Sequence, residues 1–215
     1  MTAANFDACM PLLKANEGGF TANPDDPGNW TGGAKGKGEL RGTNFGISAA
    51  SYPTLDIRNL TWPQAVEIYR RDYWTPAGCD MLPDGVDWCV LDAAVNSGVH
   101  ASIQWLQTAV GTTADGVIGP QTKQAIANAA PVVTIGKICD ARLAFLQRLG
   151  TWPEFGAGWT ARVSRVRGDA LRMAQAPQPV SAQKPAQSDP QNALSVASDP
   201  QPLGWIGWVK KQVGL

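Results

Sequence analysis

Glu17 and Asp26 are acidic side chains nine positions apart, each beside a place where the chain must turn. Glu17 closes a segment in which Phe6, Met10, Leu12 and Leu13 recur at helical spacing. Gly18 and Gly19 follow, which predicts a helix ended by glycine in the left-handed conformation. Asp26 lies in the turn cluster Asn23-Pro24-Asp25-Asp26-Pro27-Gly28. A helix end and a tight loop can bring both carboxylates to one cleft. Two carboxylates across a cleft can break a glycosidic bond. One is kept protonated by apolar surroundings and donates to the leaving oxygen, while the other stays ionised and orients water or attacks the sugar. The same residues also read as a solvated helix terminus and a polar turn, and spacing alone does not separate the two.

The wider pattern adds to this. Glu17-Gly18-Gly19-Phe20, Asp26-Pro27-Gly28 and Thr43-Asn44-Phe45-Gly46-Ile47-Ser48 together resemble the motifs of the glycoside hydrolase family 108 lysozyme-like muramidases of phage and bacterial endolysins. The resemblance implies Glu17 as general acid, with Asp26 and Thr43 completing a glutamate, aspartate and threonine triad like that of phage-type lysozymes. It implies cleavage of the β-1,4 bond between N-acetylmuramic acid and N-acetylglucosamine without a metal or organic cofactor. The chain departs from the family by a Gly-rich insertion, Asn29 to Gly42, between the turn and the threonine. This segment reads either as a flexible flap, with Trp30 stacking on a sugar ring, or as a disordered loop. It also offers Thr31 as a rival to Thr43.

The positioning elements are mostly helical. Thr61-Trp62-Pro63-Gln64 carries a capping-box pattern, followed by the apolar face Ala65, Ile68, Tyr69, Tyr73 and Trp74. Trp74 is a core candidate that could instead stack on sugar. Pro83-Asp84-Gly85 introduces a helix ending in Asp92-Ala93-Ala94-Val95-Asn96-Ser97-Gly98, which again resembles the family. Asp92 and Asn96 share a face, either as hydrogen-bonding core groups or with Asn96 toward the substrate. Asn44 is a further substrate-binding candidate. Asp115-Gly116-Val117-Ile118-Gly119-Pro120-Gln121-Thr122 resembles the predicted peptidoglycan-binding region of these proteins, as a fold-building turn or a carbohydrate grip. Residues 132–149 predict an apolar helix, and Gly158-Trp159-Thr160-Ala161-Arg162 matches a further family signature. Arg162, Arg165 and Arg172 share a face of the last helix, read either as a solvated stripe or as a stripe that helps against anionic wall polymers.

The 18 basic and 18 acidic residues balance, so general nucleic-acid binding is not expected. A single histidine, His100, argues against the zinc chemistries of cell-wall amidases and endopeptidases. The four cysteines form no Cys-x-x-Cys pair and read as reduced core thiols, with a Cys79–Cys89 disulfide as the alternative. The start of the chain shows no secretory signal pattern, so delivery through a holin, by dedicated export or within a virion is expected.

The expected architecture is mainly α, a lysozyme-like helical domain with a loop-rich catalytic segment and at most a small β element. The muramidase body spans 1–173, with a catalytic segment of about 1–75 and a peptidoglycan-binding-like helical part of about 76–173. A Pro/Gln/Ser-rich linker follows over 174–202, then an amphipathic tail over 203–215 that could dock on a membrane surface or a partner. The expected partner is the peptidoglycan glycan strand and the expected state a monomer. Two alternatives remain open at this level: a lytic transglycosylase using Glu17 alone, and a non-catalytic wall-binding or virion structural protein.

Overall fold

The computed structural model describes residues 3–176, so most of the Pro-rich stretch and the whole of 203–215 lie outside the described residues. Helix α1 (Ala3–Asn16) buries Phe6, Cys9, Met10 and Leu13, which fall on one face at helical spacing. Pro11 sits on the exposed side, where water can serve the carbonyl that its missing N–H leaves unpaired. The end of α1 corrects the sequence expectation, because neither Gly18 nor Gly19 takes a positive φ. The Glu17 amide instead donates to the Lys14 carbonyl at 3.2 Å, closing the helix with one tight turn.

The segment that follows is rich in loops. A short 3-10 turn over Pro27–Asn29 is capped by Asp26. Strands β1 (Thr43–Asn44) and β2 (Ile47–Ser48) pair antiparallel, Thr43 opposite Ser48. Phe45 and Gly46 connect them with φ values of 48° and 72°, the two positive dihedrals of a hairpin turn whose twist matches the strands. Helix α2 (Trp62–Tyr69) starts as its capping-box pattern predicts, Gln64 Oε1 accepting from the Thr61 amide at 2.8 Å. It runs into a widened turn over Arg70–Trp74, where the Thr75 amide reaches back to the Arg70 carbonyl.

Helix α3 (Val86–Ser97) is buried along its whole length and forms the axis of the molecule. Around it pack α1, α4 (Val99–Val110), α6 (Pro131–Leu146) and α7 (Trp152–Gln175), while α5 (Pro120–Asn128) packs on α4. A helix covered on all sides cannot be amphipathic, which explains why its apolar residues show no single stripe. Gly85, just before α3, has φ of 81°, and a Cβ there would overlap the Ala170 carbonyl oxygen of α7. Gly85→Ala is expected to cost about 1–3 kcal/mol through strain at this dihedral and displacement of α7. A lower urea midpoint at unchanged m-value would show it.

All four cysteines are buried and unbridged. Cys79 and Cys89 are not joined: Cys89 Sγ faces Cys139 Sγ at 3.8 Å, and Cys79 Sγ points to the Asp87 carbonyl. The architecture is mainly α with one two-stranded sheet among the described residues.

Candidate active site

Glu17 stands one residue beyond α1, with its side chain only 4 % exposed. Its Oε1 accepts from Arg162 Nη2 of α7 at 3.1 Å. Arg162 is buried, which corrects its place in a solvated stripe with Arg165 and Arg172. The reason is Asp92 of α3, fully buried, which accepts from Arg162 Nε and Nη2 at 3.1 and 2.8 Å. Arg142 of α6, also buried, donates Nη1 to Asp92 at 2.6 Å and Nη2 to Asn96 Oδ1 at 3.0 Å. Burial alone would push the Asp92 carboxyl up, but the Arg162 and Arg142 guanidiniums outweigh it and hold the group at about 2. Two acids and two arginines therefore form one buried cluster that joins α1, α3, α6 and α7. Sequence reasoning missed Arg142 altogether. Its only signal was a charge inside an apolar helix, which a surface position explains equally well.

Asp26 and Thr43 meet through Asn29. The Asp26 carboxylate accepts from the Gly28 amide at 2.8 Å and caps the 3-10 turn. Burial raises this carboxyl above its ordinary range, against the lowering effect of that hydrogen bond. Asn29, fully buried, accepts from Thr43 Oγ1 at 2.7 Å and donates to the Asn23 carbonyl at 3.0 Å. The main chain of Thr43 exchanges two 2.8 Å hydrogen bonds with Thr21, four residues after Glu17. One run of contacts thus links the segment after Glu17, the threonine and the Asp26 turn. Asn29 is the second residue that the sequence did not single out, since it reads there as the first position of an insertion.

The insertion is a hydrogen-bonded hairpin, which corrects the expectation of a loose flap or a disordered loop. Trp30 bridges Leu40, the Thr31 amide donates to the Glu39 carbonyl at 2.9 Å, and Gly32 donates to Lys37. Thr31 Oγ1 accepts from the Glu39 amide at 2.9 Å, so this hydroxyl closes the hairpin, whereas that of Thr43 contacts the Asp26 turn. The Trp30 indole is half-buried, and its Nε1 donates to the Pro24 carbonyl at 2.9 Å.

Three substrate-binding candidates are buried and hydrogen-bonded or packed within the protein. Trp74 is fully enclosed, edge-on to Phe6 with ring centres 5.2 Å apart, and donates Nε1 to Asp80. Asn96 is fully buried against Arg142. Asn44 is buried, and its amide donates to the Ile57 and Leu60 carbonyls, tying β1 to the loop before α2. The Asp115–Thr122 motif also turns inward, around the buried Gln107. The Gln107 amide nitrogen donates to Asp115 Oδ1, the Val117 carbonyl and Thr122 Oγ1, and its oxygen accepts from the Gly116 amide. That motif builds the α4–α5 corner.

Comparison with known proteins identifies the family. The family model for glycosyl hydrolase 108 matches residues 10–98, and the model for a predicted peptidoglycan domain matches residues 101–164. No curated protein gives a match. Nine chains of solved structures do, among them SagA of Brucella abortus, at 38 % identity and a TM-score of 0.69 over 81 % of this chain and 98 % of that one. The buried cluster spans both matched regions: Glu17 and Asp92 lie in the first, Arg142 and Arg162 in the second. The two regions build one site, and the chain that carries them belongs to the glycosyl hydrolase 108 family.

Proposed function

We propose that the protein is an N-acetylmuramidase, hydrolysing the β-1,4 bond between N-acetylmuramic acid and N-acetylglucosamine in peptidoglycan. Family membership supports a glycoside hydrolase acting on peptidoglycan. The observation that carries the finer reading is the enclosed carboxyl of Glu17 at the end of α1, followed four residues later by Thr21, whose main chain pairs with Thr43 and so with the Asp26 turn. Enclosure favours the protonated acid that must donate to the leaving oxygen. Asp26 stays nearer water and stabilises the oxocarbenium-like charge or orients the attacking water. Thr43 Oγ1 donates its proton to Asn29, so it meets that water as an acceptor.

Mass spectrometry of the soluble fragments released from purified peptidoglycan tests the reading. Reducing N-acetylmuramic ends are expected. Anhydro-muramic ends would replace hydrolysis by transglycosylation, and a protein that binds the wall but releases no fragments would overturn the enzymatic reading.

A further inference from the structure

Glu17 shares a guanidinium with Asp92, and the sharing is unequal. Arg162 Nη2 meets Glu17 at 3.1 Å, while Asp92 takes both Nε and Nη2, the latter at 2.8 Å. Asp92 also accepts from Arg142 at 2.6 Å and from Asn16 Nδ2 at 3.4 Å, and Asn16 is the residue immediately before Glu17. This aspartate therefore grips both the cation that touches Glu17 and the end of the helix that carries it.

We propose that Asp92 is a positioning residue for the acid: it fixes Arg162 and the end of α1, and by neutralising the guanidinium it lets Glu17 keep its proton. The proposal rests on Glu17 being the general acid. An arginine beside a carboxylate favours the ionised form, which is the wrong form for proton donation. With Glu17 protonated, the cluster of Asp92, Arg142 and Arg162 carries one net positive charge, and ionising Glu17 brings it to zero. Removing the Asp92 charge leaves two unbalanced guanidiniums and drives Glu17 toward the carboxylate. Removing the Arg142 charge does the opposite. Tyr69 of α2 is a titratable group near Glu17; burial, and then the Glu17 charge, push its phenol well above its ordinary value, so it stays neutral. Asp169 of α7 feels Asp92 at longer range, and burial raises its carboxyl.

The test compares pH–rate profiles of the full chain, as reducing-end release from peptidoglycan at low substrate. The alkaline limb reports the acid of the free enzyme. Asp92→Asn should move that limb to lower pH by roughly one unit, and Arg142→Gln should move it to higher pH. A merely structural Asp92 would lower the plateau and the melting temperature in both variants and leave the limb in place. Limbs that coincide with wild type, or that move in the same direction, overturn the proposal. Should Asp92→Asn fail to fold, Arg142→Gln decides alone, because it leaves Asp92 paired with Arg162. An active Glu17→Gln protein would refute the assignment of the acid itself, whereas an inactive one with unmoved limbs refutes only the role of Asp92.

Discussion

Glu17→Gln should lower peptidoglycan hydrolysis by about 10²- to 10⁴-fold, the usual contribution of a general acid. The substitution removes the transferable proton and little else. The glutamine oxygen can still accept from Arg162 Nη2, and Asp92 continues to hold that arginine by two of its nitrogens. Stability should therefore stay close to wild type, and circular dichroism melting would establish this beside the activity assay. The loss should appear in the rate at saturating substrate as well as at low substrate, since proton donation is made only in the transition state. A folded Glu17→Gln protein that hydrolyses peptidoglycan at the wild-type rate would sink the assignment of the acid. Asp26→Asn should also impair hydrolysis, but its effect is confounded by loss of a capping carboxylate at the 3-10 turn.

Which parts of this site are readable from the chain alone follows from how far each contact reaches. Glu17, the Asp26 turn, the Thr43 hairpin and the start of α2 announce themselves because caps, turns and helix ends depend on neighbours a few positions away. The helical architecture follows in the same way from periodicity, while its lysozyme-like character is implied by the resemblance of the motifs. Arg142 and Arg162 meet Asp92 across 50 and 70 positions, and no local pattern encodes such a pairing. Periodicity on α7 could not find Arg162 either, because its guanidinium is covered by charge on another helix and not by an apolar face. Burial also misled in the other direction. Trp74, Asn44 and Asn96 are residue types that bind sugars when exposed, and the sequence does not show that α1, the loop before α2 and α6 close over them. The insertion reads as loose because it is Gly-rich, yet it is closed by backbone hydrogen bonds and the Trp30–Leu40 bridge, which glycine permits as well as any residue.

Arg162→Met should destabilise the fold by about 3–5 kcal/mol, the cost of breaking a buried ion pair from one side. The methionine fills much of the space but supplies no donors, so Asp92 loses the paired contacts from Nε and Nη2 and keeps Arg142, while Glu17 loses its cation. For a chain of this size that corresponds to a melting temperature lower by about 6–20 °C. Arg165→Met, three residues along the same helix but exposed, should change stability by no more than about 0.5 kcal/mol. The pair separates the buried-cluster reading from a solvated stripe, in which both substitutions would be nearly silent. Activity should separate them too. Freed from Arg162, Glu17 keeps its enclosure but not its orientation, and a misplaced acid loses rate even where its proton is easier to hold. Equal melting temperatures for the two variants would mean that Asp92 is balanced by Arg142 alone, and that α7 closes the site by apolar packing through Trp159, Val163 and Val166 and not by charge.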